Sequence, residues 1–452
     1  MEIFTTQKGS EACNYGGFSY RVDTVTSIRK IWRCRTIGCK GRLWSDIDNC
    51  HPIEKQGHSH PPAPEIGIVM STICKMKQRA KTETRSIPII HSDAAAEISG
   101  NTSASAIFPA FKSINNVLYR ARHEKLPVLP QSLNDIHIPD QLTQTISGQL
   151  FLLFISEDKS IILLGTISNL QMLSSNNHWF MDGTFRVAPP FYKQIFTIHA
   201  LLQSKVLPLI YCILIDKKAE TYTSVFRKIR DLCLEHNLIL TPNLITLDFE
   251  KGLIVALQQE FPQSRLRGCY FHFCQAVFRQ VQKLGFSVDY GNNQELRTKI
   301  RMLMALAFVP EQIVQQTFDN LRDEAPVNIR PLFQYFHQQW FQNIKKEMWN
   351  MYGIRRRTNN DVEGWHNRFN NLVDKHHPNI YDLISCIRKE QGFTETLMAQ
   401  INAGQVINKT NKKYNLISEC ISKLQQRFDD GEIGVQEFIR GISFSLSTPI
   451  AF

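Results

Sequence analysis

The 452-residue sequence has no run of about 18 or more apolar residues, the length a membrane-crossing helix needs, and no apolar core follows its polar start at Met1-Glu2. Nothing in it is expected to span or cross a membrane, and the protein is expected to stay inside the cell. It has no cysteine pattern of a disulfide framework either. Eleven cysteines, an odd count scattered over the chain, suit reduced thiols and a metal site better than cross-links. Internal repeats are absent. Acid is in short supply: 41 Asp and Glu stand against 52 Lys and Arg, a formal net charge of +11. A pI near 9.1 favours an acidic polymer such as nucleic acid as partner. The length suits two or three domains, at least one with a sizeable core.

Residues 1–61 are rich in aromatics and carry two close pairs of ligand-type side chains, Cys34 with Cys39 and His58 with His60. Zinc takes four such ligands in a tetrahedron, and a short strand-rich loop between the pairs can bring them together. So small a segment has little core, so the metal would supply much of its folding free energy. Cys50 and His51 lie between the pairs as alternative ligands, and free thiols beside surface histidines are the plainer reading. Phe18, Tyr20 and Trp32, followed by Cys34, Cys39, His58 and His60, resemble a FLYWCH zinc finger in order. The resemblance implies a module for recognising protein or nucleic acid.

Residues 62–105 shift toward Pro, Ser, Thr, Ala and Lys and read as a linker. Its basic cluster, Lys75, Lys77, Arg79 and Lys81, reads as a nuclear-import signal, a phosphate contact or a solvated run. Phe108, Phe111, Ile114, Val117 and Leu118 have helical spacing and lead into the basic stretch 119–125. Residues 106–177 are taken as the first part of a larger region, with strands at 150–155 and 161–164.

The stretch 178–187 places Asp182 inside an apolar strand, with Trp179, Met181, Phe185 and Val187 on one face and Asp182, Thr184 and Arg186 on the other. Two further strands, 194–202 and 206–215, complete a meander. A helix over 220–236, a strand ending at Asp248, a helix over 251–260 and a strand feeding a helix at 265–272 follow. This α/β order is that of a ribonuclease-H-like fold, interrupted by a helical insertion at about 293–352 before Glu363.

In such a sheet the first and fourth strands are neighbours, so Asp182 and Asp248 would lie side by side and a helix would bring Glu363 across. Three close carboxylates repel unless a cation neutralises them, which makes sense as a divalent-metal site. Each also has a plain reading: Asp182 on a solvent edge, Asp248 as a helix cap, and Glu363 in a capping box with Asn360. Val362, Trp365, Phe369 and Leu372 would form the buried stripe of the Glu363 helix.

Four blocks, 181–185, 246–250, 268–272 and 357–366, match in order those of a Mutator-like element (MULE) transposase, which residues from about 106 to 400 resemble. The resemblance implies that Asp182, Asp248 and Glu363 are a DDE triad binding Mg²⁺ or Mn²⁺, with Cys269 and His272 as the family's Cys-x-x-His pair. It implies a metal-dependent transposase that cuts DNA at transposon ends and joins strands, acting in the nucleus as a homo-oligomer on DNA. The alternatives are a domesticated copy serving as a non-catalytic DNA-binding regulator and, third, a nuclease of the same fold without strand transfer. For Cys269 and His272 an inert buried thiol beside a hydrogen-bonded imidazole stands next to a role in orienting the site. Arg355-Arg356-Arg357 could hold DNA phosphates or form a solvated loop, and the helical tail, 401–452, could clamp DNA or support oligomerisation.

Overall fold

The computed structural model describes residues 1–5, 10–83, 85–124, 129–203, 205–354, 357, 360–374, 376–405 and 412–446. The chain forms two units, Met1–Leu129 and Pro130–Phe452.

In the first unit, β1 (Glu2–Thr5), β2 (Glu11–Tyr15), β3 (Phe18–Val25), β4 (Arg29–Cys34), β5 (Arg42–Asp46) and β6 (Ile53–Gln56) make an antiparallel sheet in sequence order. Gly16 and Gly17, both at positive φ, form the two-residue turn between β2 and β3, where side chains would be strained. Tyr20, Trp32 and Leu43 fill a small core, and the Trp32 indole donates to Ser45 Oγ at 2.9 Å.

The segment expected as a linker is instead helical. Helices Pro64–Thr82, Ile87–Ile98, Thr102–Ala106 and Phe111–His123 share a core of Ile73, Met76, Ala80, Ile90, Ala94 and Leu118. Pro64 and Pro88 sit in helix first turns, where the missing N–H has no intrahelical partner to lose. Arg79 of the basic cluster pairs with Glu83 at 2.8 Å and Asp93 at 2.7 Å, and Lys81 pairs with Glu124. The helix Phe111–His123 belongs to this unit, so the boundary expected at 106 lies after Leu129. Lys125, which closes the basic stretch after that helix, lies outside the described residues.

The second unit is built on β7 (Leu152–Ile155), β8 (Ile161–Leu164), β9 (His178–Thr184), β10 (Gln194–Leu202), β11 (Lys205–Leu214), β12 (Leu244–Leu247) and β13 (Arg265–Gly268). Their order is β13-β12-β9-β10-β11-β8-β7, with β12 parallel to both β9 and β13 and the other pairs antiparallel. Parallel strands need a crossover, supplied by helices Ala219–Glu235 and Lys251–Glu260. Their residues Phe226, Ile229, Leu253 and Leu257 join Trp179, Met181, Ile198 and Leu247 in the main core. Phe180, facing the other way, packs with Val206 and with Val362 of the helix Asn360–Val373. Central β9 is therefore covered on both faces.

Two details correct the sequence reading. β9 ends at Thr184, leaving Phe185 44% exposed beneath the Lys217 ammonium, 4.0 Å from its ring centroid. Leu372 is exposed, and Val373 takes the buried position that it was expected to fill.

Helices Ser287–Asn292, Gln294–Ala305, Val314–Asp323, Arg330–His337 and Lys346–Trp349 form the insertion around Phe318, Phe336, Trp340 and Trp349. It joins the sheet through Phe273 of the helix Tyr270–Lys283, whose ring lies 4.6 Å from that of Trp340. In the tail, Lys409 lies outside the described residues. Ile421 of helix Lys412–Asp429, and Phe438 and Ile442 of helix Val435–Ser445, enter the same core, so the tail is part of the packed unit. Among the described residues no helix is long and apolar enough to cross a membrane.

Gly268 closes β13 beneath Phe249: a Cβ there would fall 2.1 Å from the ring. Gly268→Ala must displace the residue next to Asp248 and is expected to destabilise the unit by about 1–3 kcal/mol. A denaturation midpoint equal to wild type would show that the ring yields freely.

Candidate functional site

The first unit gathers the four side chains singled out by spacing. Cys34 ends β4, Cys39 sits in the loop to β5, and His58 and His60 follow β6. Cys34 Sγ lies 3.3 Å from His60 Nε2 and Cys39 Sγ 3.5 Å from His58 Nδ1, and the four ligand atoms all lie within 4.8 Å of one another. A tetrahedral zinc ion with the usual bond lengths sets sulfur–nitrogen edges of roughly 3.5 Å, so the donor set fits.

The surroundings orient the ligands. His60 Nδ1 is 2.9 Å from the Pro61 carbonyl and His58 Nε2 is 2.7 Å from Tyr20 Oη, which leaves the other nitrogen of each ring facing a thiol. Backbone N–H groups of Thr36 and Gly41 donate to the two sulfurs, each at 3.4 Å. Burial pushes the Cys39 thiol up, but hydrogen bonds from Ser59 and Gly41 outweigh it and bring the pKa to about 6. A Cβ on Gly41 would lie 2.5 Å from the His58 ring, so glycine makes room for that ligand. Cys50 and His51 are exposed, and His51 turns to Asp46 at 2.8 Å, so neither joins the cluster.

In the second unit Asp182 lies on β9 and Asp248 directly follows β12. The parallel register pairs Thr246 with Phe180, and continuing it by two residues sets Asp248 opposite Asp182. Asp182 is 6% exposed. Burial, then the charge of Asp248 and more weakly that of Glu363, drive its pKa well above the usual carboxylate range against a hydrogen bond from the Gly183 N–H. Asp248 is raised to about 6, chiefly by burial and then by Glu250, and Glu363 to about 7 by burial. The capping role considered for Asp248 is weak, its Oδ1 lying 3.3 Å from the Glu250 N–H. Asn360, the partner considered for Glu363, has its side chain outside the described residues.

Glu250 is fixed by Lys217 and by the Tyr222 hydroxyl at 2.7 Å, and Tyr222 in turn accepts from Gln194 at 2.7 Å. This network clamps the turn that carries Asp248. The Glu363 helix is held from behind by Glu390, 1% exposed, which accepts from the Trp365 indole at 2.8 Å and pairs with Arg368.

His366 was not singled out from the sequence, although it stands three residues after Glu363 and so shares its helix face. Its Nδ1 is 3.5 Å from Asp182 Oδ2, and burial lowers its pKa to about 4. Cys269 occupies the position just before the helix Tyr270–Lys283, and His272, also lowered to about 4 by burial, lies with its Nε2 4.0 Å from Glu363 Oε1. Arg355 and Arg356 lie outside the described residues. Arg357 is 9% exposed over the Phe308 ring, so it serves packing and not the phosphate contact expected of it.

The raised carboxyls make a pH prediction. Asp248 has a folded pKa above its unfolded value, so its contribution to stability is complete below about pH 4 and is lost as pH rises through about 6. His272 and His366 shift the opposite way, adding stability above about pH 6.5 that is lost as pH falls toward 4, and they mask the trend in the wild type. Asp248→Asn isolates it. In metal-free buffer the variant should match the wild type near pH 4 and exceed it by about 3 kcal/mol above pH 6. Thermal melts giving the same difference at both pH values would contradict the buried, raised carboxyl.

Among curated proteins, none matches the chain. Residues 178–276, the span that carries Asp182, Asp248, Cys269 and His272, match the family model of the MULE transposase domain.

Proposed function

We propose that the chain is a Mutator-like DNA transposase whose second unit has a ribonuclease-H-like fold and cuts and joins phosphodiesters with Asp182, Asp248 and Glu363. The observation that carries this reading is the pairing of β9 with β12, which sets the two aspartates opposite each other within the matched span, close enough that Asp182 responds to the charges of Asp248 and Glu363. The strand order supports the fold: three antiparallel strands, then a fourth and fifth added in parallel beside the first.

The three carboxylates would hold Mg²⁺ or Mn²⁺, which when bound activate the attacking oxygen and neutralise the leaving one. The protein's own part is positioning. Lys217, Tyr222 and Glu250 hold the Asp248 turn, Glu390 and Arg368 hold the Glu363 helix, and His366 stands against Asp182. The Cys34, Cys39, His58 and His60 cluster supports a FLYWCH-type finger that recognises DNA. Acting on chromosomal element ends calls for a nuclear location and at least a dimer.

The test is Mn²⁺-dependent nicking and strand joining on duplexes carrying candidate element ends. Cleavage is expected with Mn²⁺ or Mg²⁺ and not with Ca²⁺. Salt-sensitive DNA binding with no cleavage in any metal would reject the enzyme and favour a non-catalytic DNA-binding regulator.

A further inference from the structure

Two helices present ligand-type side chains in the same three-residue spacing. Cys269 and His272 stand at the start of the helix Tyr270–Lys283, and Glu363 and His366 lie in the first half of the helix Asn360–Val373. Their faces meet: one ligand atom each from Cys269, His272 and Glu363 lies within 4.8 Å of the other two.

The polar atoms around this point are poorly satisfied. His272 Nδ1, Glu363 Oε1 and His366 Nε2 are all buried without a hydrogen-bond partner, and His366 is 9% exposed. A buried polar atom without a partner is unfavourable, and three of them on these two facing helices call for a ligand. The donors decide its class. Magnesium and calcium take oxygen shells, whereas a thiolate, an imidazole and a carboxylate together suit zinc and similar borderline ions. Three protein ligands leave a fourth position open, unlike the closed set in the first unit.

We propose that Cys269, His272 and Glu363 bind a zinc-class divalent ion, at a position distinct from the oxygen-lined one of Asp182 and Asp248. Glu363 Oε1 is the oxygen beside His272 and is the one that this ion takes. Glu363 is then a wall shared by two metal positions, and occupancy of the softer one fixes its rotamer. The site stands on its own geometry whether or not the chain cuts DNA.

Cobalt is the probe, because each thiolate bound to Co²⁺ adds a near-ultraviolet charge-transfer band. The full chain is titrated with Co²⁺ as wild type, Cys269→Ser, Glu363→Gln and Asp248→Asn, with circular dichroism to confirm folding. With Cys34, Cys39 and Cys269 all bound, Cys269→Ser should remove about one third of the band and about one equivalent of metal. Glu363→Gln keeps the thiolate and should weaken the corresponding phase about tenfold or more. Asp248→Asn should leave the band unchanged. Superimposable wild-type and Cys269→Ser spectra would overturn the proposal. If Cys269→Ser fails to fold, a Glu363→Gln titration identical to wild type would overturn it equally.

Discussion

Asp248→Asn should lower Mn²⁺-dependent strand cleavage by about 10³-fold or more while leaving the protein folded and, without metal, more stable than the wild type. The two effects share one cause. Asp248 is buried and lies near Glu250, so its charge is unfavourable until a cation neutralises it, which is why its pKa lies near 6. Under the proposed function, a neutral isostere relieves that cost and would remove a metal ligand from the position where charge is stabilised during reaction, an effect of several kcal/mol at about 1.4 kcal/mol per factor of ten. Rates and melts should be measured on the same samples, with and without Mn²⁺. A variant that is both inactive and less stable in metal-free buffer would point to a structural role for Asp248.

Removing zinc should unfold the six-stranded sheet of the first unit and spare the second. The sheet's core is little more than Tyr20, Trp32, Leu43 and the cysteines themselves. Structural zinc in finger peptides contributes roughly 10–16 kcal/mol, comparable to or larger than the roughly 5–15 kcal/mol that stabilises a whole domain. Chelation, or Cys39→Ser, should therefore abolish hydrogen-exchange protection in β3, β4 and β5 while β9 and β10 keep theirs. Protection in β4 that survives chelation would mean that the aromatic core suffices without metal.

The second sheet was legible from its apolar runs. β10 was read to the residue, and β9, β11, β12 and their crossover helices to within a few residues, because β-branched and aromatic runs broken by short turns leave little choice of element. The four zinc-type ligands were legible from paired spacing alone. The helices over 64–98 were missed for a physical reason: their buried faces include small residues such as Ala80 and Ala94, and their prolines occupy first turns, so a packed bundle has the composition of a linker. His366 and Glu390 were missed because a single histidine or glutamate in a helix carries no signal until its burial is known. The signal available for His366 was its position three residues beyond Glu363. Arg357 failed as a phosphate contact because local charge says nothing about which arginine the fold will bury.

The helical insertion stands in sequence between Asp248 and Glu363, and this sets the order in which the molecule becomes competent during synthesis. The ribosome delivers β9 and β12 first, then the whole aromatic bundle around Phe318 and Trp340, and only afterwards the helix that covers Asp182. A chain stopped anywhere within the insertion has both aspartates but no third acid and no Val362 to pack on Phe180. Under the proposed function, incomplete translation products would carry two of the three acids and no means to break DNA, so the interruption acts as a safeguard in time for the cell that makes the protein.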